Sequence, residues 1–130
     1  MIPLALLAIA ALDGPDAAPG IAAVEACNRE AVMDLARAEP ARRLKFAAAA
    51  YAEQQAIARE RAALPAIATG PGKSASGAAT AGLAAEQLDA RQKQLDDARA
   101  VERGWRDFFE EMRADYLANC TTGKRPAPHG

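Results

Sequence analysis

This chain is poor in aromatic residues, nearly without histidine, and carries only two cysteines. Aromatics make up 5% of its 130 residues against a hydrophobic share of 51%, and alanine accounts for the difference. Alanine favours helix but buries little apolar surface, which excludes a thick core of large side chains. The single histidine, His129, stands one residue from the C-terminus, and neither a Cys-x-x-Cys nor a His pair occurs. No metal-ligand spacing and no nucleophile with a neighbouring base can be read from such an inventory, so no catalysis, metal or cofactor is expected. The acid doublets Asp96-Asp97 and Glu110-Glu111 do not change this, because consecutive helical residues point about 100° apart.

Charge of one sign is lacking as well. Sixteen basic and seventeen acidic residues are interspersed, for a net charge of −1. That excludes the basic stripe a nucleic-acid surface asks for, and equally a footprint for anionic membrane. The one local excess, Arg42, Arg43 and Lys45, is expected to pair with Glu39 and Glu102. Long hydrophobic runs are also missing, since Met1 to Leu12 falls short of the roughly 20 residues a spanning helix needs. Followed by Asp13-Gly14-Pro15-Asp16, that run fits the apolar part of a secretory signal peptide cut near Ala18 or Ala22. Residues 1–20 are therefore read as a leader, with no integral span in the mature chain and a periplasmic or secreted location.

What the sequence does contain is a symmetry. Cys27 and Cys120 lie almost equidistant from a Pro/Gly/Ser-rich stretch over residues 65–82, read as a flexible loop. Helical arms folded back there bring the two sulfurs together, which predicts a disulfide at the open end. An oxidising compartment agrees with exactly such a pair. The fold class expected is all-α: an antiparallel two-helix hairpin over residues 21–122, with a three-helix bundle as the alternative. Pro40 should kink or break the first helix. Residues 123–130 are read as a disordered tail.

Periodicity sets the expected faces. In the first arm Val24, Cys27, Ala31, Leu35 and Ala38 recur at steps of three or four, and Leu44, Ala48, Tyr51, Ala58 and Ala62 resume after Pro40. In the second arm Leu88, Leu95, Ala98, Val101, Trp105, Phe108, Met112 and Tyr116 form a coiled-coil-like stripe. With the cysteines opposed, Met112 should face Leu35 and Trp105 should face Arg42. Phe46, Ile57, Phe109 and Leu117 fall off these stripes, and with Trp105 they are the candidate partner contacts.

The Gln-rich second arm leading to Trp105, further aromatics and Cys120 resembles small secreted lysozyme inhibitors of the helical, disulfide-bearing type. The resemblance implies an inhibitor or chaperone-like binder of another secreted protein, acting through the Trp105 to Tyr116 region. Here Trp105 and Cys120 are 15 residues apart and there is no second cysteine pair, so no functional residue carries over. The Leu-Thr-x-x-Gln boxes of periplasmic chaperone hairpins are absent too. The reading closest to the residues is an exported, alanine-rich helical protein that acts by protein–protein contact, with self-association as a homodimer one form of that contact.

Overall fold

The computed structural model describes residues 12–69 and 75–121. It is all-helical over these residues, with three helices where the sequence predicted two long arms: α1 (Ala18–Glu25), α2 (Arg29–Thr69) and α3 (Ala75–Asn119). The apolar run before Leu12, the middle of the expected loop (70–74) and the tail from 122, His129 included, lie outside the described residues.

Two boundaries differ from expectation. Helix covers much of the expected loop: α2 runs to Thr69 and α3 begins at Ala75. The stretch is rich in alanine, whose helix propensity outweighs its scattered Gly and Ser. Nor is Pro40 a break, because α2 continues through it. The chain breaks earlier, at Ala26 to Asn28.

That earlier break has a specific construction. Asp16 Oδ1 accepts the Ala18 N–H at 2.9 Å, and Pro19 occupies the first turn of α1, where its missing donor costs nothing. At the other end the Asn28 N–H donates to the Ala23 carbonyl and the Cys27 N–H to the Val24 carbonyl. These are the two bonds of a Schellman motif. Its left-handed position, which usually takes glycine, holds Cys27 at φ 51°. Asn28 then caps α2 by accepting the Ala31 N–H at 3.1 Å.

The described residues form two compact units. One consists of 47–99, where α2 and α3 pack antiparallel: Gln54 meets Gln92 and Arg99, and Arg61 meets Asp89. Ala50, Ile57, Leu88 and Leu95 are buried, with Ile57 and Leu95 the largest fully buried side chains among the described residues. A reciprocal amide pair, Gln54 with Gln92, lies between the helices. Arg91 donates to both oxygens of Glu53 at 2.8 and 3.0 Å, and also to Glu60.

The other unit consists of 13–46 and 100–121. Its core joins Ala23 and Val24 of α1 to Val32 of α2 and to Trp105, Phe109 and Met112 of α3. Cys27 and Cys120 are bridged here, with Cα atoms 5.4 Å apart, as the arm symmetry predicted. Gly20 lets α1 approach α3 closely, since a Cβ there would sit 2.8 Å from the Met112 sulfur.

The buried faces correct the expected stripes. Leu44, Tyr51 and Val101 are exposed at 72%, 67% and 54%, whereas Phe46, Ile57 and Phe109 are in the cores. Buried positions on α2 step by seven, Val32, Glu39, Phe46 in one unit and Ala50, Ile57 in the other. The seam carries charged residues at core positions, so a search for apolar residues alone lands on the wrong face.

Candidate functional site

Two features of the 13–46/100–121 unit gather chemistry: a buried ion network and a groove. The network centres on Arg42. Its Nη1 and Nη2 donate to the two oxygens of Glu102 at 2.8 Å each, a bidentate fork. Its Nε donates to Glu39 at 2.5 Å, and Arg43 Nε donates to the other Glu39 oxygen at 2.7 Å. Trp105 Nε1 donates to Glu39 at 2.6 Å, and Arg106 Nε donates to Glu102. Both glutamates are only 4–5% exposed. Burial pushes the Glu39 carboxyl up, but hydrogen bonds from Arg42, Trp105 and Arg43 more than offset it and hold it below the ordinary range. Glu102 follows the same logic, burial opposed by Arg42 and Arg106. Bonding to Glu102 in turn raises the Arg42 guanidinium, so it keeps its proton at any ordinary pH.

Such an arrangement holds charge; it offers no group poised to give or take a proton near neutrality. Arg42 and Arg43 pair with Glu39 and Glu102, as expected of that basic cluster. Among the described residues no group of His, Cys, Asp or Glu could hold a metal ion, and no helix is long and apolar enough to cross a membrane.

The groove lies where α1 crosses α3. Its volume is about 350 Å³, and it is lined by Ile21, Val24 and Glu25 of α1 and by Phe108, Glu111, Met112 and Asp115 of α3. Val24 and Met112 are buried at its floor and Ile21 is exposed, while Glu25 and Glu111 stand exposed at its rim and the half-buried Asp115 already accepts from Asn119. A second groove of about 380 Å³, between α2 and α3, is lined in part by Arg43, Phe109, Glu110 and Arg113. There the protein's own guanidinium groups lie over Phe109, Arg43 at 5.5 Å and Arg113 at 6.0 Å.

The five residues expected to meet a partner fare unequally. Phe46, Ile57, Trp105 and Phe109 are at most 8% exposed and serve as core, which corrects their reading as contacts. Leu117 alone is at the surface. The Trp105 to Tyr116 region nevertheless holds the α3 wall of the first groove. Ile21 and Glu25 were missed because α1 was not recognised as a separate helix; Pro19 behind Asp16 was the available signal. No protein-family model, curated protein or solved structure matches this chain.

Proposed function

We propose that this is a non-enzymatic helical protein of an oxidising compartment, periplasmic or secreted, that acts by binding another polypeptide. The observation that carries this reading is the groove over Ile21, Phe108 and Met112, an apolar lining left open beside a disulfide that fixes its walls. Part-apolar concavities with a few placed polar groups are where proteins take ligands. The bridge supports the compartment, since such bonds persist outside a reducing cytosol. Ionisable groups drawn into the cores serve as structural pairs, which leaves surface contact as the reading with most support.

Affinity capture from an envelope extract by the oxidised chain tests this, alongside light scattering on a sizing column. A stoichiometric partner, foreign or a second copy, is the expected result. A chain that retains nothing and stays monomeric at high concentration overturns it.

A further inference from the structure

The geometry points to an arginine-bearing segment of the partner polypeptide as the occupant of the groove between α1 and α3, an assignment that rests on the binding role proposed above. The first argument is the treatment of neighbouring aromatics. Trp105 has Arg42 over its ring at 5.5 Å, and Phe109 has both Arg43 and Arg113. Phe108, whose ring centroid is 5.4 Å from that of Trp105, has no cation over it among the described residues. It is the ring that borders the open groove.

The second argument is charge. Glu25 and Glu111 on the rim are exposed and have no ion pair or hydrogen bond among the described residues, while the buried Glu39 and Glu102 are fully engaged. A guanidinium is weakly hydrated, stacks on aromatic faces and forks onto carboxylates, so one arginine satisfies both the Phe108 ring and the carboxylates of Glu25 and Glu111. Its methylene stem and an adjoining apolar residue suit the apolar lining of Ile21, Val24 and Met112. A lysine meets the rim charge but stacks less well. The second groove already carries its own arginines, so it has no use for another.

Titration of the oxidised full chain with N-acetyl-Leu-Arg-Leu-amide, followed by amide NMR shifts, tests the assignment. Saturable shifts are expected at Ile21, Glu25, Phe108 and Glu111, weakening as salt rises. The citrulline peptide, neutral and of the same shape, should bind about tenfold more weakly. The paired substitution Glu25→Gln with Glu111→Gln should raise Kd by about fivefold or more with the melting temperature unchanged, whereas Glu110→Gln at the second groove should leave binding alone. No saturable shift up to about 10 mM peptide, or equal binding of the citrulline peptide, overturns the assignment. So do concentration-dependent shifts at these residues without peptide, which would put a second copy in the groove. Shifts there on removing residues 122–130 would give the groove to the chain's own Lys124-Arg125, and overturn it likewise. Equal capture of an envelope partner by the wild type and the double variant would keep the binding role and reject arginine alone.

Discussion

Arg42 reaches sixty residues along the sequence to grip Glu102 through two hydrogen bonds of 2.8 Å. Breaking a buried ion pair by removing one partner strands the other charge, at a cost of about 3–5 kcal/mol. Arg42→Met should therefore destabilise the fold by roughly that amount, read from urea or thermal unfolding. In a double-mutant cycle with Glu102→Gln the two losses should fail to add, by about 0.5–3 kcal/mol. Additive losses would mean that the fork contributes nothing of its own.

The same carboxylates set an acid limit. Glu39 and Glu102 titrate lower in the fold than in the unfolded chain, where glutamate lies near pH 4.3. In that window the unfolded chain binds more protons, so stability is complete above about pH 5 and falls as pH drops through the folded values. Melting temperatures should be level from pH 7 to about 5 and decline below about 4. Trp105, the sole tryptophan, donates to Glu39 and reports the loss by its fluorescence. Glu39→Gln should weaken the acid dependence.

Core and surface on α2 can be told apart directly. Ile57→Ala, at a fully buried site, should cost about 2–5 kcal/mol. Leu44→Ala and Tyr51→Ala, at exposed sites, should change stability by no more than about 0.5 kcal/mol. Reversed magnitudes would restore the face that apolar periodicity suggested.

The bridge between Cys27 and Cys120 spans 93 residues of sequence. In the chain-entropy account, closing a loop of that size stabilises by about 4–5 kcal/mol. Replacing both cysteines with serine should lower the melting temperature accordingly. A chain cut between residues 70 and 74 should migrate as one species until reductant is added.

Packing of α1 also bears on where the proposed export cut can fall. Asp16 accepts the Ala18 N–H just ahead of the helix, and Ala17 lies against the core. If the chain is exported as proposed, a cut after Ala18 would remove both contacts and a cut after Ala22 would also take Ile21 from the groove, so the mature chain should begin at or before Asp16. Sequencing its N-terminus from envelope protein checks this; a start at Ala23 would mean that α1 is discarded.

Helical class and the cysteine pairing were legible because both depend on length and composition, which survive a small error of boundary. The faces were less so. Glu39, Arg42, Glu53, Gln54 and Glu102 occupy positions turned toward the partner helix, and their polarity hides the step of seven from any apolar count. Leu88, Leu95 and Phe109, each a multiple of seven apart, carried the correct phase with Glu102 in the gap. The turn at Cys27 left no compositional mark, because a cysteine stands where a glycine would have announced it. The groove followed from that turn and was hidden with it.

The covalent ring closed at Cys27 has a mechanical consequence. Tension applied between the segment before Cys27 and the segment after Cys120 runs through the sulfur bridge, so α2 and α3 bear none of it. The 93-residue separation of the two cysteines stores about 300 Å of contour length that pulling cannot release while the bridge is intact. A thiol reductant converts a short, inextensible link into a long tether, and single-molecule extension should show that length appear in its presence alone.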